Sequence, residues 1–379
     1  MDAHFRHRQR ETYLVQTQQR AVLCARRIGI LAPIVPEGGM PVQARQFAAG
    51  LQQEGIDSVL IPVHGAASWN DHYPVLRTLH HYRDRIRRLR HIAPGIDGLI
   101  VFSCSGNYLR LVTAPAVRVC NRLGIPVAIS DRGGDTEQWL RHSPSTRWLF
   151  RSLIFGCKAM HVSSEYLKQV YAEYGIAAEA VPILIPAGRI PYRPRPAKPH
   201  LIINNRTMSQ FHRVELSIRI FAELRNRYPE LQMAITGDGC AANRCKRLAR
   251  DLGVVDAISF PSFISQEETI ELLGKADLVL NTSSHDNTPN AILEAFASGV
   301  PVVSSAVGGI PDLLGEDQRG YLVYGDSAPP YLSAITRAVD GPRDTLAKVE
   351  RAHVFVGSLN WNALRADYLR VLIQPLLQS

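Results

Sequence analysis

The chain has 379 residues, which at roughly 100–200 residues per domain points to two domains. Hydrophobic residues make up 46% and charged residues 20%, which excludes a disordered tail or a collagen, and 43 basic against 34 acidic side chains leave a net charge of +9. Cysteines at 24, 104, 120, 157, 240 and 245 form no CxxC pair and have no histidine at zinc spacing, so a disulfide-stapled module and a zinc ribbon are excluded and reduced thiols of a cytoplasmic protein are expected.

A basic leader, residues 1–27, comes first. Arg26 and Arg27 before IGILAPIVP imitate a signal peptide, but Pro33 breaks the run and a Gly-Gly turn follows in place of a cleavage site, so a buried first strand is predicted. No run supplies the roughly 20 apolar residues of a spanning helix, and no transmembrane segment is expected.

Residues 28–185 alternate short apolar runs with helical patterns: RIGILAPIV, VQARQFAAGLQQEG, DSVLIPV, DGLIVFSC, APAVRVCNRLG and IPVAISD. That alternation predicts a parallel sheet covered by helices, with Gly55, Gly124 and Gly175 just past helix ends. Six prolines between Pro182 and Pro199 break helix and sheet alike, and the linker is placed at 186–199. The alternation restarts over 200–360 with HLIINN, LQMAITG, AISFPSF, DLVLNTSS and VPVVSS as strands, and residues 361–379 are expected to form a terminal helix. Two α/β domains of this kind face a ligand with the carboxyl ends of their strands.

The most informative stretch is DLVLNTSSHDNTPNAILEAFASGVPVVSSAVGGIPDLL, residues 277–314. Its helix is punctuated by Thr288 as N-cap, Pro289 in the first turn, Gly299 past the end and Pro301 beyond. The N–H groups of Asn290 and Ala291, with the positive end of the helix dipole, make an anion site. Ile292, Leu293 and Phe296 form a core face, while Glu294 shares its side with Asn290, Ala291, Ala297 and Ser298. A carboxylate on a small-residue face admits a polyol, whereas most helical glutamates are simply solvated.

Asp286, seven intervening residues and Glu294 within LEAFASGVPVV, followed by Gly308-Gly309, resemble the retaining glycosyltransferases of family 4 (group 1). Asp286-Asn287-Thr288-Pro289 is similar to the subgroup with a D-N-x-P phrase. The resemblance implies a GT-B fold, two Rossmann-like domains facing across a cleft: an acceptor domain before the linker and a nucleotide-sugar donor domain after it. Gly38 and Gly39 resemble the family's loop against the donor phosphate. Arg206 resembles its phosphate-binding arginine, and His212 falls where its lysine stands, with Arg213 beside it. Gly237 opens a G-D-G turn near the nucleotide. Asp131-Arg132-Gly133-Gly134-Asp135 follows a strand end, where Arg132 is either an acceptor contact or one half of a turn salt bridge.

The resemblance implies a UDP- or GDP-linked sugar as donor, a saccharide, lipid-linked or small-molecule acceptor, and retention of anomeric configuration, the leaving phosphate itself taking the acceptor's proton. Asp286, Arg206 and Glu294 are the expected catalytic set: Asp286 for sugar hydroxyls, Arg206 for the diphosphate and Glu294 for the ribose. Thr288, Pro289, Asn290 and Ala291 complete the donor site. No metal-ligand spacing occurs among the 13 histidines, so no metal or cofactor is expected.

Tyr82 to His91 reads YRDRIRRLRH, and Arg83, Arg85, Arg87, Arg88 and Arg90 suggest a basic face for the inner leaflet of an anionic membrane, or merely a solvated helix. No recognition motif supports nucleic-acid binding. A catalytically silent GT-B-like binding or scaffold protein is the alternative. A nicotinamide dehydrogenase would rest on Gly237-Asp238-Gly239-Cys240-Ala241-Ala242 but lacks the acidic partner about 20 residues on.

Overall fold

The computed structural model of the chain describes residues 26–34, 39–63, 74–104, 106–195 and 200–378. The basic leader before Arg26, and Gly38 with it, lie outside the described residues.

The first half builds a sheet from β1 (Arg27–Ala32), β2 (Asp57–Pro62), β3 (Gly98–Ser103), β4 (Val127–Asp131), β5 (Ala159–Val162) and β6 (Glu179–Ala180), in the order β2-β1-β3-β4-β5-β6. Every pairing is parallel, as strands joined through crossover helices require. Parallel strands covered on both faces need uninterrupted apolar sequence, and GLIVFS in β3 is buried at every position. The second half repeats the plan with β7 (Leu201–Asn205), β8 (Gln232–Thr236), β9 (Ile258–Ser262), β10 (Leu278–Asn281), β11 (Val302–Ser305) and β12 (Tyr321–Val323), ordered β12-β11-β10-β7-β8-β9.

β5, β6 and β12 have no counterpart in the sequence reading. They are two to four residues long, and AMHV in β5 interrupts its apolar run with His161. That ring is buried but satisfied, with Nδ1 2.7 Å from Ser130 Oγ and Nε2 2.9 Å from the Val181 carbonyl. A histidine with both nitrogens engaged tolerates a core position that its residue type argues against.

One face of the first sheet is covered by helices Pro74–Ile92, Ala114–Arg122, Pro144–Ile154 and Glu165–Glu173, through Leu89, Val117, Phe150 and Val170. The other face is covered by helix Gly39–Gln53 and by the far end of the chain. Helix Trp361–Tyr368, a π-helical turn at Leu369–Ile373 and helix Gln374–Leu377 cross back to the first domain, where Trp361, Tyr368, Leu372 and Leu376 enter its core. Trp361 stacks on Tyr368 at 5.9 Å, and the Tyr368 hydroxyl donates to the Pro182 carbonyl at 2.6 Å. The amphipathic pattern predicts this terminal helix, but not which domain receives it.

The proline-rich segment holds a 3-10 turn at Ala187–Arg189 and then runs along the second domain. The Arg193 N–H donates to the Ser298 carbonyl at 3.1 Å, and Arg195 reaches the Gly274 carbonyl.

The arginines of the Pro74–Ile92 helix do not form one exposed face, which corrects the sequence reading. Arg85 is only 4% exposed and donates to the carbonyls of Val63 at 3.1 Å and Leu111 at 2.6 Å. A guanidinium has five donors, so a buried Arg that finds carbonyls serves to join loops. Arg88 pairs with Asp84 at 2.8 Å, while Arg83, Arg87 and Arg90 remain exposed. Among the described residues no helix is long and apolar enough to cross a membrane.

Candidate functional site

Between the two sheets lies a cavity of about 450 Å3, lined from the first domain by Gly39, Gln43 and Arg132 and from the second by Arg206, His212, Gly237, residues 285–291 and Glu294. The second-domain groups sit at carboxyl ends of strands: Arg206 follows β7, Gly237 follows β8, and the 282–289 loop follows β10. Gly237 has φ +93°, open to glycine at little cost, and a side chain there would crowd the Arg206 carbonyl. Gly308, at φ +55°, lies so close to the Asp286 carbonyl that any Cβ would collide with it.

Helix Asn290–Ser298 begins one residue later than its sequence punctuation predicts. Pro289, at φ −69° and ψ 123°, occupies the N-cap, and the Thr288 hydroxyl instead donates across the cleft to the Ser163 carbonyl at 3.5 Å. The first helical bond runs from the Ile292 N–H to the Pro289 carbonyl at 3.1 Å, so Asn290 and Ala291 present their N–H groups at the cleft. Gly299 ends the helix at φ +77° as expected.

Glu294 is 6% exposed, and burial pushes its carboxyl up to about 7. Its partner is Gln266, whose Nε2 donates to Oε1 at 3.1 Å. The solvated-surface reading of this glutamate is therefore excluded. A carboxylate deprived of water by its surroundings is poised to accept hydroxyl hydrogen bonds.

Arg206 and Asp286 converge as a buried ion pair, Nη2 to Oδ2 at 2.6 Å. The same Nη2 lies 2.9 Å from His212 Nε2. His212 Nδ1 is 2.7 Å from the Thr207 carbonyl, which can only accept, so Nδ1 carries the proton and Nε2 accepts from the arginine. Burial, then the Arg206 charge, lower this histidine to about 4, and the ring is neutral at pH 7. The lysine position is thus filled by an acceptor that orients Arg206, not by a second cation. Arg206 Nε is buried with no hydrogen-bond partner among the described residues, and the same holds for Asn290 Nδ2.

Arg213 departs from the sequence expectation. It does not line the cavity: Nε donates to the Thr282 carbonyl at 3.0 Å and Nη1 pairs with Asp326. Its left-handed backbone, φ 45°, immediately precedes helix Val214–Arg227.

On the opposite wall Arg132 lies 4.2 Å from the Phe102 ring, and its Nε donates to Ser130 Oγ at 3.2 Å. No salt bridge joins Arg132 to Asp131 among the described residues; Asp131 Oδ2 accepts from the Thr136 and Tyr171 hydroxyls, each at 3.0 Å. Arg132 Nη1 donates to Gln43 Oε1, and Gln43 Nε2 donates to Asn290 Oδ1 at 2.7 Å. One glutamine therefore links an arginine of the first domain to the helix N-terminus of the second. Gly39 lies against the Asn290 amide in the same contact. Asn287 Nδ2 donates to Ser163 Oγ at 2.9 Å, a further bond across the cleft. Gln43 lies in the helical phrase VQARQFAAGLQQEG without being marked there as a site residue, and Gln266 belongs to no phrase read from the sequence.

Residues 193–359 match the family model for glycosyl transferases group 1. This stretch of the chain is similar to that family. The chain is similar over 162 residues, at 31% identity, to D-inositol 3-phosphate glycosyltransferase of Corynebacterium aurimucosum, covering 41% of this chain and 38% of that protein. It is also 31% identical over 147 residues to the lipopolysaccharide core biosynthesis glycosyltransferase LpsE of Rhizobium meliloti, covering 38% of this chain and 43% of that one. The chain thus spans about two fifths of the length of these curated relatives.

Solved structures match over nearly the whole chain. Sucrose-phosphate synthase from Thermosynechococcus elongatus superposes with a TM-score of 0.76 at 14% identity, over 93% of this chain and 100% of that one. HepE of Anabaena, in complex with UDP and glucose, gives 0.69 at 15% identity over 92% and 100%. The fold is GT-B, as the sequence resemblance implies: α/β, with two parallel six-stranded sheets facing across the cleft.

Proposed function

We propose that the protein is a retaining glycosyltransferase that moves a sugar from a UDP- or GDP-linked donor to a saccharide, lipid-linked or small-molecule acceptor. The observation that carries this reading is the convergence of Arg206, Asp286, the Asn290–Ala291 helix end and Glu294 in one cleft, within the stretch similar to glycosyl transferases group 1. HepE, a structural neighbour, is described with UDP-glucose, which favours a UDP-sugar.

In this reading the diphosphate meets the helix N-terminus and the unpartnered Nε of Arg206. These fixed donors oppose the charge that grows on the leaving group as the sugar takes on oxocarbenium character. Glu294 accepts from the ribose hydroxyls, and Asp286, steadied by Arg206, holds sugar hydroxyls. Arg132 faces the acceptor. The acceptor proton passes to the leaving phosphate oxygen on the same face, so no side chain is named as base and no metal or cofactor is invoked. The enzyme is placed in the cytoplasm, peripheral on the inner leaflet.

The neutral His212 favours a second reading, a silent GT-B-like binding protein, because only one permanent cation then meets the diphosphate. Incubation with a panel of nucleotide-sugars, read by thermal shift and then by release of nucleoside diphosphate with an acceptor, separates the two. Stabilisation with turnover and a retained anomeric centre supports transfer. Stabilisation without turnover against every acceptor class supports the silent protein.

A further inference from the structure

Two segments of the helical layer and its adjoining strands in the first domain have a composition that neither the cleft nor the core explains, the acids of the layer lying on helices Pro74–Ile92, Thr136–His142 and Glu165–Glu173. Residues 106–130 and 143–164 contain no Asp or Glu but hold Arg110, Arg118, Arg122, Arg147, Arg151 and Lys158. Four large apolar side chains in or beside this layer are exposed: Trp148 at 67%, Phe155 at 94%, Leu111 and Leu123. Trp148, Arg151 and Phe155 are spaced i, i+3 and i+7, so they project from one face of the Pro144–Ile154 helix and its end. Arg118 and Arg122 share a face of Ala114–Arg122, with Leu123 directly after.

These elements are joined into one surface. A Cβ on Gly156 would overlap the Asn121 amide, so the end of the Pro144–Ile154 helix lies against the Ala114–Arg122 helix. Arg110 donates to Ser145 Oγ at 2.9 Å, and Arg85 of the neighbouring helix reaches the Leu111 carbonyl at 2.6 Å. That neighbour adds exposed Arg83, Arg87 and Arg90, and its lone acid, Asp84, is paired with Arg88.

We infer that this face docks on an anionic lipid bilayer, with Trp148 and Phe155 entering the headgroup boundary and Arg118, Arg122 and Arg151 meeting lipid phosphates. Aromatic side chains with one apolar and one wet side settle at such boundaries, and cations flanking them add electrostatic attraction to an acidic leaflet. Arg151 Nε donates to the Tyr174 carbonyl at 3.0 Å, but these arginines have no carboxylate partner among the described residues, and a soluble protein surface gains nothing from a nearly bare phenylalanine among them. A nucleic acid would engage the cations but leave the apolar groups in water. The inference sharpens the peripheral location proposed above, moving its centre from the Pro74–Ile92 helix to the Trp148 face. Vesicle binding is read with neither donor nor acceptor, so failure of the transfer reading leaves it standing.

The full chain is sedimented with phosphatidylcholine vesicles, with and without phosphatidylglycerol, at low and high salt. Pelleting only with phosphatidylglycerol, weakened by salt, is expected. A triple variant, Arg118→Gln, Arg122→Gln and Arg151→Gln, should lose on the order of 100-fold in partitioning, from about fivefold per cation. Trp148→Ser with Phe155→Ser should lose binding even at low salt, with the melting temperature and nucleotide stabilisation of the parent retained. Tryptophan emission should be quenched by brominated lipid in the parent and not in Trp148→Phe. Equal pelleting with neutral vesicles, variants that bind like the parent, or retention on RNA with no vesicle binding would overturn the proposal.

Discussion

The two walls of the cleft solve the same task with different parts. The second-domain wall is largely local: Asp286, Asn290, Ala291 and Glu294 lie within nine residues on one loop and helix, and Arg206, His212, Gly237 and Gln266 join them from other strand ends. The first-domain wall is assembled from distant positions, with Arg132 on one loop and Gln43 on a helix 89 residues away. The local wall is rigid and buried, as binding a charged diphosphate requires. The assembled wall meets the second domain through the Gln43–Asn290 bond.

Removing Arg206 should cost most. Arg206→Ala is expected to lower turnover by about 100-fold or more with the fold retained, since it removes a preorganised donor to growing charge. Steady-state kinetics with near-normal turnover would move the diphosphate elsewhere. Next comes Glu294→Ala, which should weaken nucleotide binding by about 1.5–3 kcal/mol, measured by calorimetry. Unchanged affinity would detach this helix from the donor.

The pH behaviour of Glu294 sharpens the contrast between binding and stability. Its folded carboxyl titrates near 7, above the ordinary 4.5, so the folded state holds a proton that the unfolded state has released between those values. This group's contribution to stability therefore declines as pH rises through that window and is least favourable above 7. Nucleotide affinity should move the other way, rising as the carboxylate forms. Glu294→Gln should melt higher than the parent at pH 8 and bind nucleotide more weakly there. A variant that melts lower would mean the charge is compensated in the folded protein.

Gln43→Ala tests the assembled wall. Loss of its two bonds should cost about 0.5–1.5 kcal/mol for each, and the deficit should fall on acceptor KM more than on donor affinity. The smallest effect is expected for His212→Lys, which should hold or raise turnover at neutral pH. It supplies a second cation while giving up one acceptor for Arg206, a bond worth about 1 kcal/mol. A large loss would show that orienting Arg206 outweighs added charge.

The local wall was also the legible one. Gly299 can be picked out because a helix between a strand end and a tight turn imposes its own punctuation, whatever surrounds it, and Asp286 and Glu294 through the resemblance of their spacing and phrase to a known family. The N-cap slipped by one residue because Thr288 found a partner in the other domain, which no local pattern reports. Arg213 and His212 look alike as neighbouring basic residues, yet Arg213 pairs with Asp326, and burial strips His212 of its charge. Arg85 sits in a run of arginines that reads as solvated, and only the carbonyls of Val63 and Leu111 disclose that it is inside. Gln43 and Gln266 carry no signal at all, since a glutamine on a helix is ordinary until its partner is known.

The return of residues 361–377 to the first domain sets an order for biosynthesis. A domain begun by β1 has part of one face covered by Trp361, Tyr368 and Leu376, so Phe47 and its neighbours stay exposed on the nascent chain until the second domain has been translated. This core is therefore complete only once the whole second domain has been synthesised, so the first domain cannot finish maturing ahead of the second in the usual N-to-C sequence. A messenger truncated near codon 360 would yield an unfinished first half tethered to a complete second one, and such a species is a natural client for chaperones.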